Sequence, residues 1–133
     1  MPYTTELTED YLGIIQSGTG LVTGREILQG CRTVTALVQT TENFEYKLVD
    51  FSSVTNLQIS ADELAAIVEE DWLIALSRPH AAVVLVVPNQ EIEALATRWQ
   101  EMVSELGWET QIACSRAAAQ EWLRARHLVA PVE

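Results

Sequence analysis

Basic residues are scarce in this chain. Lysine and arginine together number eight, only one of them a lysine (Lys47), against 19 aspartates and glutamates, for a formal charge of -11. That balance excludes nucleic acid and anionic membrane surfaces as partners, because both are held by concentrated positive charge. Cysteine is equally sparse. Cys31 and Cys114 cannot form a disulfide framework and suit a reducing compartment, so the expected location is the cytoplasm. No apolar run approaches the roughly 20 residues that span a bilayer, and the opening MPYTTELTED is polar and acidic, unlike a secretion signal. Histidine occurs twice, as His80 and His127, neither with a second ligand at metal-binding spacing. No metal and no cofactor is therefore expected.

What the chain does have is apolar content. Of its 133 residues, 48% are hydrophobic and 20% charged, enough to build one core and too apolar for a disordered segment. Residues 1–10 lack a period and read as a flexible lead-in, residues 128–133 as a tail, and a single domain is expected over 11–127. Tyr11 to Ser17 reads as a strand, Gly18-Thr19-Gly20 as a hairpin turn, and Leu21-Val22 as a short return strand. Thr23 and Glu26 make a capping box ahead of Ile27, Cys31, Val34 and Val38, which are spaced as one helix face. Glu45 to Phe51 is a strand, with Tyr46, Leu48 and Asp50 on one side and Lys47, Val49 and Phe51 on the other. Residues 52–60, SSVTNLQIS, read as a polar link to a second capping box, Ser60 with Glu63. The helix that follows carries Leu64, Ile67, Val68 and either Asp71 or Trp72 on its inner face, and Pro79 stops it.

Ala81 to Val87 has no charge and is mostly β-branched, the mark of a strand covered on both faces. Asn89 caps a third helix with the stripe Ile92, Leu95, Trp99, Met102, Val103 and Leu106, and Gly107 is expected as its C′ residue. Trp108 to Cys114 is a last strand, and Ser115 caps a last helix with Ala118, Trp122 and Leu123 inward. The order β-β-α-β-α-β-α-β-α predicts an α/β fold: a mostly parallel five-stranded sheet with an antiparallel edge strand, four helices and right-handed crossovers.

Several segments of the sequence carry a family resemblance. They are the opening strand that ends in Gly18 and turns into Leu21-Val22-Thr23, the strand Leu48-Val49-Asp50-Phe51 before its polar link, and the closing Ala118-Ala119-Gln120-Glu121-Trp122-Leu123. In this order and spacing the chain resembles the SpoIIAA-like, or STAS, domains, which include anti-sigma-factor antagonists and small stand-alone relatives. The resemblance implies a SpoIIAA-like fold and a regulatory surface at the start of the second helix. In the antagonists an Asp-Ser-Ser opens that helix, and its first serine is phosphorylated. Here Gln58 stands in the Asp position, Ile59 in the acceptor position and Ser60 in that of the second serine, which implies that the acceptor is missing.

Candidate chemistry is thin elsewhere. The Gly18 segment lacks the Gly-Lys-Ser/Thr ending of a phosphate loop. Cys31 falls on an apolar helix face that disfavours thiolate, whereas Cys114 ends a strand just before a helix N-terminus. Glu69-Glu70-Asp71 reads as a solvated helix face, since adjacent helix residues point in different directions. Trp99 and Trp122 share phase with the core stripes, while Trp72 and Trp108 are expected to be partly exposed. Asp50, near the carboxyl end of its strand, is expected to accept backbone N–H groups of the link. No catalytic residue stands out. The expected binding residues are Asn56 and Gln58, with Thr55, Ser60 and Asp50, for a protein partner or second copy of the chain. A small apolar or anionic ligand is the alternative occupant, and an enzyme of unknown class the third reading.

Overall fold

The computed structural model describes residues 3–10, 12–41 and 43–126. Its elements are β1 (Tyr3–Leu7), β2 (Gly13–Thr23), α1 (Gly24–Thr40), β3 (Tyr46–Gln58), α2 (Ala61–Ser77), β4 (Ala82–Val86), α3 (Gln90–Met102), β5 (Glu109–Ala113) and α4 (Arg116–Ala125). The five strands lie side by side in chain order. β1 pairs antiparallel with β2, and every later neighbour is parallel. Three consecutive β-α-β units of one hand place α1, α2 and α3 on the same face. α4, which follows the last strand, covers part of the other.

β4 shows why the layers form. Its five residues are all buried. Val83, Leu85 and the following Val87 join the core beneath α1–α3, whereas Val84 and Val86 join Tyr46, Leu48, Ala119 and Leu123 beneath α4. The uncharged run Ala81 to Val87 is apolar at successive positions because both sides are covered. Helix starts follow the sequence closely. Thr23 with Glu26 and Ser60 with Glu63 form complete capping boxes, and Asn89 and Ser115 each accept a backbone N–H at N3.

Three expectations about the strands need correction. The lead-in is not loose throughout, because Tyr3–Leu7 forms the antiparallel edge strand. Tyr3, Thr5 and Leu7 point to the core side while Thr4 and Glu6 are exposed. Two apolar residues in five give a weak alternation, and the ladder to β2 supplies the rest. Next, Gly18-Thr19-Gly20 is no hairpin turn: β2 passes straight through it for 11 residues. Gly18 belongs there because a Cβ would come within 2.8 Å of the Val54 side chain, so it allows a close approach rather than a reversal. Third, residues 52–58 are not a link but the second half of the 13-residue β3. Gly107 is not the C′ residue of α3 either: the helix ends at Met102 with Val103 as its cap, and Gly107, at φ +84°, lies four residues after that cap. Of the tryptophans, Trp99 is core and Trp72 is 46% exposed. Trp108, expected to be partly exposed, is instead buried, donating from Nε1 to the Arg78 carbonyl at 2.8 Å. Trp122 is half-buried, with the Arg126 guanidinium 3.7 Å above its ring. His127 and the expected tail lie outside the described residues.

Candidate functional site

β2 and β3 outrun their neighbours. β1 pairs only as far as Gly18, and β4 reaches only Asp50 of β3, so Thr19–Thr23 and Ser52–Gln58 form a two-stranded parallel ribbon with no strand on either side among the described residues. Two bulges shape it. Between the pairs Ser17↔Asp50 and Thr19↔Ser53, and again between Gly20↔Val54 and Leu21↔Asn56, β3 uses one residue more than β2. Each bulge bends the strand and re-aims the side chains that follow. As a result Phe51, Val54 and Leu57 all turn toward the α1–α3 core. Ser53, Asn56 and Gln58 fall on the opposite face with Thr19 and Leu21, exposed to solvent.

The five sequence-derived site residues therefore take definite places. Asn56 pairs with Leu21 and Gln58 with Thr23. Thr55 is the extra residue of the second bulge and is exposed. Ser60 is committed to capping α2, its hydroxyl accepting from the Glu63 N–H at 3.1 Å. Asp50 sits at the base of the ribbon, where Oδ1 accepts from the Ser52 N–H at 2.8 Å and Oδ2 from Arg116 at 3.2 Å. Burial alone would push the Asp50 carboxyl up, but the Ser52 hydrogen bonds and the Arg116 guanidinium outweigh it and hold the group below its ordinary value. The Gly18 segment and residues 54–58 are thus two strands of one surface, with Leu21, 49% exposed, at its centre.

A second constellation escaped the sequence reading. The lone lysine, Lys47, is 4% exposed, and Asp71 is 0% exposed. Their charged atoms are 3.6 Å apart between β3 and α2, and Trp99 of α3 donates to the other Asp71 oxygen at 2.7 Å. Asp71 is therefore no part of a solvated face. Glu69 is exposed, and Glu70 accepts a hydrogen bond from Thr35. Burial would lower the Lys47 ammonium, but the Asp71 carboxylate more than offsets it and holds Lys47 above its ordinary value. For Asp71 itself burial wins over Lys47 and Trp99, and its carboxyl is raised. Cys31 is buried nearby, its thiol pushed up from 9.0 to about 12 by burial. Such a thiol is inert toward electrophiles at neutral pH. The signal for the pair was present in phase alone: Lys47 alternates with Val49 and Phe51, and Asp71 lies four residues after Ile67.

These groups border a cavity of about 50 Å³ between the sheet and α1–α3. Tyr3, Gln16, Lys47 and Asp71 lie at its buried end, and the half-buried Leu57, Ile59 and Leu95 at its mouth. Gly30 makes room for that end, since a Cβ there would lie 2.7 Å from the Tyr3 ring and 2.8 Å from Gln16 Nε2. Among the described residues, no group of three or more His, Cys, Asp or Glu is placed to hold a metal ion, and no helix is long and apolar enough to cross a membrane.

With strand order, crossovers and layers in place, several solved structures match in shape, two of them informative. One is the anti-sigma factor antagonist SpoIIAA in its unphosphorylated form, with a TM-score of 0.59 and 6% identity, covering 92% of this chain and 97% of that one. The chain has the SpoIIAA-like fold. The other is an uncharacterised Shewanella loihica protein of the DUF3478 family, itself described as SpoIIAA-like, with a TM-score of 0.53, 16% identity and 91% of each chain covered. No family model and no curated protein matches the sequence. At these identities the SpoIIAA-like likeness is one of backbone path.

Proposed function

We propose that this protein is a non-enzymatic regulatory module that recognises a protein partner through the β2–β3 ribbon. The observation that carries the reading is the ribbon itself. A strand pair flanked by no other strand among the described residues presents Thr19, Leu21, Ser53, Asn56 and Gln58 on one open face. An exposed leucine ringed by uncharged hydrogen-bonding groups suits a protein surface: the apolar centre loses water and the rim supplies direction without desolvating charge. The fold supports the same reading, since SpoIIAA, which shares it, is an anti-sigma factor antagonist. Control by phosphorylation at the helix start is not part of the proposal. Ile59 precedes a Ser60 whose hydroxyl is occupied by its cap.

The test is site-specific photocrosslinking in the native host, with the crosslinker placed at Leu21, Asn56 or Gln58 and, as controls, at Leu73 or Leu76 on α2. The expected result is one discrete adduct from the ribbon positions, weakened in Asn56→Ala and Gln58→Ala backgrounds. Adducts from the α2 positions alone refute the assignment.

A further inference from the structure

The buried end of the cavity holds polar atoms whose bonding capacity is unused. Tyr3 Oη and Asp71 Oδ1 are both buried and have no hydrogen-bond partner among the described residues. Lys47 Nζ stands 3.6 Å from Asp71 Oδ1, an ion-pair distance but too long for a well-made hydrogen bond. Three groups from β1, β3 and α2 thus border one cavity, in surroundings where an unmade hydrogen bond is costly.

Their chemistry selects the occupant. Lys47 and Tyr3 donate and Asp71 accepts, so a matching group must accept and donate at once. A hydroxyl does both. A carboxylate offers only acceptors and meets the Asp71 charge, while an ammonium offers only donors and meets Lys47. The two protein charges already balance, so the guest need bring none. Hydrocarbon lines the way out, past Leu57, Ile59 and Leu95. An apolar cavity of roughly 150 Å³ takes up benzene. The present 50 Å³ therefore encloses the hydroxyl and first carbons of a guest, and the rest of its chain must pass through the mouth.

We propose that this cavity binds a neutral primary aliphatic alcohol, its hydroxyl among Lys47, Asp71 and Tyr3 and its alkyl chain leaving between Leu57, Ile59 and Leu95. The site is separate from the ribbon face, which lies on the other side of the sheet, so either can fail without the other. Isothermal titration of the full chain with 1-hexanol, hexanoate and hexylamine tests it, supported by ligand-observed NMR. Saturable 1-hexanol binding is expected, with both charged analogues at least about tenfold weaker. Tyr3→Phe removes one donor, and at the usual net worth of a hydrogen bond the alcohol should then bind about three- to tenfold more weakly. The same variant should fold at least as stably as the parent, because the hydroxyl it deletes has no partner among the described residues. An absence of saturable binding means the cavity holds only water and overturns the proposal. So does tighter binding of hexanoate, which would make the site an anion site, or unchanged 1-hexanol affinity in Tyr3→Phe.

Discussion

Breaking the Lys47–Asp71 pair one partner at a time should be far more damaging than removing it whole. Asp71→Asn keeps an oxygen for the Trp99 N–H but leaves an ammonium only 4% exposed with no counter-charge. Stranding a buried charge in this way costs about 3–5 kcal/mol, a large share of the roughly 5–15 kcal/mol that holds a domain together. Lys47→Met strands Asp71 instead, at a similar cost at pH 7. The double variant Lys47→Met/Asp71→Asn retains the Trp99 bond and buries no charge, so it should return to within about 1–2 kcal/mol of the parent. Urea denaturation of the four proteins at pH 7 gives the coupling energy directly. Acid adds an independent check on the Lys47→Met variant. Its Asp71, with a folded-state pKa raised above the unfolded value of 3.8, costs stability in full above the folded value, and that cost shrinks as pH falls below it and vanishes near the unfolded value. The variant should therefore gain on the parent as pH falls from 7 toward about 4. If the single substitutions each cost under about 1 kcal/mol and simply add, the pair is solvated and the buried-charge account is wrong.

Alkaline pH should destabilise the protein early. Cys31 is raised from 9.0 to about 12 and Tyr3 and Lys47 are raised as well, so the folded state holds protons that the unfolded chain releases. Stability should fall as pH rises above about 9, at up to about 1.4 kcal/mol per pH unit for each group, and Cys31→Ala should flatten the first part of that fall in urea titrations. Leu85→Ala, in the core under α1–α3, should cost about 2–5 kcal/mol through lost burial and the cavity left behind; a loss under about 1 kcal/mol would show that the site collapses or is not closely packed. With a charge of -11, raising monovalent salt from about 20 to 300 mM should raise the melting temperature by screening repulsion. A fall would mean that local ion pairs such as Arg126–Glu109 matter more than the net charge.

The layers were legible because periodicity reports burial. The run Ala81 to Val87 and the stripe Ile92, Leu95 and Trp99 each face what their spacing implies. The ribbon was not legible, for a geometric reason. A strand shows itself by a two-residue period, and each bulge in β3 adds one residue, so Phe51, Val54 and Leu57 recur every third position and imitate a link. In β2 the glycines carried the signature of a turn, although Gly18 serves packing against Val54. Asn56 and Gln58 were singled out for their chemistry, but their placement beside Leu21 and Thr23 depends on pairing between segments far apart in sequence. Asp71 was obscured by its neighbours: two glutamates before it suggest water, and only its phase with Leu64 and Ile67 points inward.

The bulges also settle how two helices meet. β3 spends two more residues than β2 between Ser17↔Asp50 and Thr23↔Gln58, so the paired strands finish level and α1 and α2 begin side by side, pointing the same way. Two parallel helix dipoles with their positive ends abreast, each equivalent to roughly half a charge, repel one another. The carboxylate of Glu63 stands between them. It accepts the Ser60 N–H at 2.9 Å and rests over Gly24, the first residue of α1, where a Cβ would come within 2.7 Å of its Oε1. Glu26 closes the other capping box from its own helix. In a protein whose surplus negative charge works against compaction, these two carboxylates oppose that trend, because each lies where neighbouring helices concentrate positive potential.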